Sequence, residues 1–112
     1  MSLFKRIFRK KAVPGSFAFR MERAKELHGQ PVKYVTERVN DNEDVVGRGG
    51  ALCCRDTEFI IDTSGERLMV LDIADMDASY LMSGDGVIIT GPNKLENGKL
   101  RTVTVHFVYY RK

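Results

Sequence analysis

Residues 45–56 read VVGRGGALCCRD, three glycines around Arg48 followed by the adjacent thiols of Cys53 and Cys54. Glycine-rich loops can cradle phosphate and paired thiols can hold metal, but each chemistry has a spacing to meet. A Walker-type loop needs G-x-x-x-x-G-K-[ST], and Gly47 has no such partner downstream. A dinucleotide fingerprint needs G-x-G-x-x-G between a strand and a helix. Here Gly47-Arg48-Gly49-Gly50-Ala51-Leu52 supplies its first half only, with strand-like sequence after it. The glycines therefore read as a bulge or a sharp bend in a sheet, leaving Arg48 as a candidate anion contact.

Neighbouring residues of a strand point to opposite faces, so Cys53 and Cys54 cannot readily share one tetrahedral metal site. One core thiol and one outward thiol is the expectation, with no metal and no cofactor. His106 has no oriented nucleophile or carboxylate beside it in sequence, and His28 reads as a cation or donor at a helix C-terminus. The acids Asp72, Asp75 and Asp77 miss the calcium-loop pattern, and Ser83-Gly84-Asp85-Gly86 is a turn signature rather than a nucleophile elbow. No catalytic set assembles, so a non-enzymatic protein is expected.

The remaining chemistry lies at the start of the chain. Residues 1–11 carry Lys5, Arg6, Arg9, Lys10 and Lys11 with no acid, a charge of +5, whereas residues 12–112 carry −2. Leu3, Phe4, Ile7 and Phe8 follow helical spacing between those bases, the composition of an interfacial anchor. Phe4 and Phe8 are candidate apolar anchors and the five bases candidate contacts to an anionic surface. A body so nearly neutral argues against nucleic-acid binding by the whole domain. That reading survives only as an alternative, in which the tail holds phosphates and Tyr34, Tyr80, Tyr109 or Tyr110 stacks bases.

These side chains need a scaffold. At 112 residues, 43% hydrophobic and 29% charged, the chain fits one globular domain. Its apolar runs are shorter than the ~20 residues of a spanning helix, and the basic start does not read as a secretory signal. Two cysteines without a disulfide framework fit a reducing compartment, so a cytoplasmic protein is expected, met peripherally at a membrane if the tail binds one.

Residues 1–15 read as a basic tail ended by Pro14 and Gly15, and residues 16–112 as a single mainly-β domain. Its one helix spans 16–28, with Ser16 as N-cap, Phe17, Met21, Ala24 and Leu27 on one stripe, and Gly29 and Pro31 as the stop. β-like segments follow at 32–39, 44–48, 50–55, 57–62, 67–73, 78–82, 86–91 and 100–110. Turn-rich separators such as NDNE, TSGE and SGDG join them. In the last segment Val103, Val105, Phe107 and Tyr109 share one face, with Thr102, Thr104 and His106 on the other. Connections too short for crossover helices make the sheets antiparallel.

The stretch GGALCCRDTEFIIDTSGERLMVLDIADMDASYLMSGDGVIITG, followed by LRTVTVHFVYY, resembles pleckstrin-homology-like domains, and their GRAM-type bacterial relatives in particular. The shared pattern is a glycine-led strand, a hairpin into an x-F-I-I strand, an apolar strand ending in D-I, and a D-G-V-I-I strand. The resemblance covers residues 44–110. The whole chain also resembles a family of short bacterial proteins that carries no activity over to it. It implies a mainly-β (α+β by count of its one helix), antiparallel small barrel or sandwich of about seven strands with one N-terminal helix, serving as an interaction module. Its partner would be a protein, a peptide on an open sheet edge, or an anionic membrane, with a homo-oligomer also open. Such barrels usually carry a C-terminal helix. Here the last strand is followed by Tyr109-Tyr110-Arg111-Lys112, so either the helix over 16–28 covers the core or the barrel description fails.

Overall fold

Ser16 accepts the Phe19 amide through its hydroxyl at 3.2 Å, and helix α1 then runs Phe17–Leu27. The structure, a computed structural model, describes residues 16–108. Ala24 and Leu27 are fully buried and Met21 packs against them, as the stripe requires. Phe17 does not join them and stays 48% exposed. The inward line runs Arg20–Ala24–Leu27 instead, because the Arg20 guanidinium turns inward to the carbonyl of Met76 at 2.9 Å. Gly29, at φ +84°, ends the helix and donates its amide to Leu52 at 2.8 Å, tying the helix stop to the sheet.

Eight strands follow among the described residues: β1 (Val32–Val39), β2 (Asn42–Arg48), β3 (Ala51–Arg55), β4 (Glu58–Thr63), β5 (Glu66–Asp72), β6 (Asp77–Tyr80), β7 (Gly86–Asn93) and β8 (Lys99–Phe107). Short 3₁₀ turns at Ile73–Asp75 and Lys94–Glu96 lead into β6 and β8. All pairings are antiparallel, in a five-stranded sheet of order β2-β1-β8-β7-β6 and a three-stranded sheet of order β3-β4-β5. The two sheets form an open sandwich. They do not close into a barrel.

Most joints were written locally. Asn40 and Asp41, both at positive φ, make the two-residue β1–β2 turn, whose twist matches that of the flanking strands. Between β2 and β3, Gly49 (φ +70°) and Gly50 (φ +92°) carry the chain from the five-stranded sheet into the three-stranded one. A Cβ on Gly50 would lie 2.0 Å from the Asp62 carbonyl oxygen, so only glycine fits the corner.

The core fills the space between the sheets. Val32 and Val35 from β1, Leu52 from β3, Phe59 and Ile61 from β4, Met69 and Leu71 from β5, Val87 and Ile89 from β7, and Val103 and Val105 from β8 are all at most 2% exposed. Each such side chain contributes about 1.5–3 kcal/mol by leaving water. α1 packs across the gap between β3 and the Ile73–Asp75 turn with β6, and so roofs the core from its N-terminal side.

The edges of the sandwich are covered by side chains. Arg20 reaches the Met76 carbonyl, and Arg23 donates to the Ala78 carbonyl at 2.9 Å, so arginines three apart on α1 occupy outward carbonyls beside and within edge strand β6. On edge strand β5, Asn93 (0% exposed) accepts the Val70 amide at 3.1 Å and donates to the Leu68 carbonyl at 3.5 Å. Asn93 also donates to Glu96, which with Glu37 holds Arg101 in a half-buried charge network at the foot of the sandwich. Edge strand β3 meets residues 28–31 through the Gly29–Leu52, Gln30–Leu52 and His28–Cys54 hydrogen bonds. An unprotected edge strand recruits foreign strands, and this fold blunts three of its four.

Candidate functional site

A bulge in β1 creates the most distinctive surface. Strict alternation would turn Val32 and Tyr34 to the same face, but the register shifts between Val32 and Tyr34. The extra residue leaves Val32 and Val35 both in the core and releases Lys33 and Tyr34 to the outside. Tyr34 then stands opposite His106 of β8 on one side and Arg48 of β2 on the other. Cross-strand partners share a face, so Arg48, Tyr34 and His106 form one row across the outer surface of the five-stranded sheet.

The Tyr34 and His106 rings stack with centroids 4.5 Å apart and planes 30° from parallel. The Lys33 ammonium lies 5.9 Å from the Tyr34 centroid, within cation–π range. Beside the stack is an open hollow of about 300 Å³ lined by Lys33, Tyr34, Asp85, His106, Phe107 and Val108. Its floor is fixed by the Phe107 amide bonding to the Asp85 carbonyl, while the Ser83 hydroxyl donates to the Asp85 carboxylate. Gly86, opposite His106, leaves no room for a side chain, since a Cβ there would lie 2.6 Å from the Val105 carbonyl oxygen.

The described cations divide into those held by the fold and those left exposed. Arg20, Arg23, Arg67, Lys94 and Arg101 are all committed to carboxylates. Among the described residues Lys25, Lys33, Arg38, Arg48, Arg55 and Lys99 are exposed and form no ion pair, and of these Arg48 and Lys33 stand in or beside the aromatic row. Arg48, the one described member of the expected binding set, thus stands free beside two aromatic rings. Phe4, Lys5, Arg6, Phe8, Arg9, Lys10 and Lys11 lie outside the described residues.

Two other hollows are built differently. One of about 190 Å³ lies over Phe19, Arg20, Arg23 and residues 76–79, but its arginines already hold backbone carbonyls. Arg23 is further clamped between the Phe19 ring at 5.1 Å and the Tyr80 ring at 4.7 Å, and the Tyr80 hydroxyl bonds to Glu26. Burial, together with the Glu26 carboxylate, raises the Tyr80 pKa above the usual phenol value. Of the tyrosines considered for base stacking, Tyr80 is therefore held by Arg23 and Glu26 and Tyr34 is stacked on His106, while Tyr109 and Tyr110 fall outside the described residues.

The other hollow gathers Met21, Lys25, His28, Cys54 and Asp56 in about 420 Å³. A cysteine, a histidine and an aspartate together suggest a nucleophile, yet the bonding opposes one. The His28 Nδ1 accepts the backbone amide of Cys54 at 2.9 Å, and burial pushes the Cys54 thiol above its usual pKa. A nucleophilic thiol needs the opposite shift. His28 was expected as a donor or cation at the helix end. It acts as an acceptor, because β3 brings an amide to it that no local pattern announces. Cys54 packs against the core, while Cys53 lies on the other face of β3. No three histidine, cysteine, aspartate or glutamate side chains converge as metal ligands among the described residues. Nor is any helix among them long and apolar enough to cross a membrane.

Compared with protein families, curated proteins and solved structures, the chain matches none.

Proposed function

We propose that this chain is a non-enzymatic interaction module of pleckstrin-homology/GRAM-like type, working in the cytoplasm, that recognises an anionic partner. The observation that carries the reading is the placement of two exposed cations without ion pairs, Arg48 and Lys33, beside the Tyr34–His106 stack. A cation that holds nothing together internally is free for an external carboxylate or phosphate. The basic residues Lys5, Arg6, Arg9, Lys10 and Lys11, with Phe4 and Phe8, extend the same preference to an acidic protein or an anionic bilayer. The arrangement of eight antiparallel strands in two sheets with one roofing helix supports the class.

The test is binding of the full chain to vesicles with and without anionic lipid, and to an acidic peptide. The double variant Lys33→Glu/Arg48→Glu should weaken binding at least about tenfold and flatten its salt dependence. Unchanged affinity in that variant overturns the role of the row. One observation favours a second reading: the Tyr34–His106 stack lies on a sheet surface beside exposed cations, and aromatic platforms beside basic side chains suit single-stranded RNA. Salt-sensitive RNA binding that Tyr34→Ala abolishes, with no response to anionic vesicles or acidic peptide, would establish it.

A further inference from the structure

β6, β5 and β3 have their edges covered by Arg20 and Arg23, by Asn93, and by residues 28–31; β2 is different. Its inner edge pairs with β1, and the Arg48 carbonyl accepts the Ser64 amide, but among the described residues nothing bonds the outward backbone of residues 42–46. The two-residue turn makes Val39 and Asn42 the first hydrogen-bonded pair, so alternation turns the N–H and C=O of Glu43 and Val45 outward. Val39 and Val45 are 45% and 44% exposed beside this edge. The edge is also acidic: Asp41, Glu43 and Asp44 lie within four residues and form no ion pair among the described residues.

We infer that the β2 edge takes up the basic segment Lys5–Lys11 of a second copy as an added antiparallel strand. Charge decides between occupants. A second β2 would set Glu43 and Asp44 against their own kind, which is unfavourable across a sheet. Lys5–Lys11 carries five bases and no acid. Paired as a strand, it presents Lys5 and Arg9 on one face and Arg6 and Lys10 on the other. Those faces answer Glu43 and Asp44, which point to opposite sides of β2. Reach decides between copies. α1 starts beside β6, four strand spacings from β2, or about 19 Å. The five peptide steps from Lys11 to Ser16 extend to only about 17 Å. The segment therefore docks on a neighbour, a head-to-tail contact that can propagate. This inference shares the basic segment with the anionic-partner reading but places it on a different surface, the outward edge of β2 instead of the row of Arg48, Tyr34 and His106.

Sedimentation of the full chain from micromolar to millimolar concentration should show association that high salt dissolves. Glu43→Lys/Asp44→Lys should weaken it at least about tenfold. Val45→Pro, which removes an outward N–H without touching the β1 ladder, should do the same. Lys33→Glu/Arg48→Glu should leave it unchanged, so the two readings fail separately. In labelled protein the Glu43 and Val45 amides should gain exchange protection when a synthetic peptide of residues 1–12 is added. A chain that stays monomeric throughout, or association indifferent to Glu43→Lys/Asp44→Lys, overturns the inference.

Discussion

Asn93 is the clearest case of one side chain doing what a strand would do. It is fully buried, accepts the Val70 and Leu95 amides, and donates to Glu96. Asn93→Ala strands at least one buried amide, which costs about 1–3 kcal/mol, and thermal melting should show the loss. Its bond to Glu96, aided by Arg101, holds the Glu96 carboxyl below the usual carboxylate value. A depressed folded pKa means that this stabilisation is complete above the ordinary value and disappears as pH falls through the folded one. Glu96→Gln should therefore lower stability slightly at neutral pH and flatten the acid limb of a stability–pH profile, the two profiles converging at low pH. Cys54 follows the reverse logic. Its raised pKa predicts that, in a Cys53→Ser background, alkylation accelerates only at higher pH than for a free thiol, read by mass spectrometry. Little of this was legible in the sequence. Asn93 looks like one residue of a polar loop, since its partners Leu68 and Val70 lie 25 and 23 positions away. Arg48 stood out in the sequence by its place among three glycines, and its alignment with Tyr34 across β1 and β2 did not.

Elements were legible where their signals were local. The helix stop at Gly29 and Pro31, the Asn40–Asp41 turn and the Gly49–Gly50 corner depend on backbone angles that particular residues permit. Strand β8 shows its alternation directly, with Val103 and Val105 inward and Thr102 hydrogen-bonded to Thr90 outside. Phe17 misled because a helical stripe records spacing but not which line faces inward. Arg20, a polar residue, took that place by finding a carbonyl. The bulge in β1 was silent for a related reason: VKYVTERV satisfies an unbroken strand equally well, and only pairing with β8 forces the shift. Two variants test the element scale. Gly50→Ala places a methyl against the Asp62 carbonyl at positive φ and should cost more than the roughly 1 kcal/mol of an unobstructed glycine replacement, read as a lowered denaturant midpoint. Arg20→Ala/Arg23→Ala uncovers carbonyls beside and within β6 and should cost about 1–3 kcal/mol, with faster aggregation on warming followed by light scattering.

Over the whole molecule, the mainly-β class and the antiparallel pairing were legible from short segments and short connections. The choice of a sandwich over a barrel was not, because it depends on which margins meet through space. The row of Arg48, Tyr34 and His106 belongs to this scale too, since it collects residues from three strands separated by as many as 72 positions along the chain. At this scale the prediction concerns binding: removing Lys33 and Arg48 should change affinity for anions while leaving the melting temperature within a few degrees, since both are exposed and neither forms an ion pair among the described residues. The pairing of β1 with β8 has a consequence for how the chain is made. Val32 lies opposite Phe107, so the strand leading out of the helix has only β2 beside it until almost all described residues have left the ribosome. The hairpin of β4 and β5 can form early, because its two strands meet across a tight turn. The five-stranded sheet cannot, for β8 is its middle member. Folding should therefore be slow for so small a domain, because its five-stranded sheet waits for β8, with β7 and β1 exposed to chaperones in the interval.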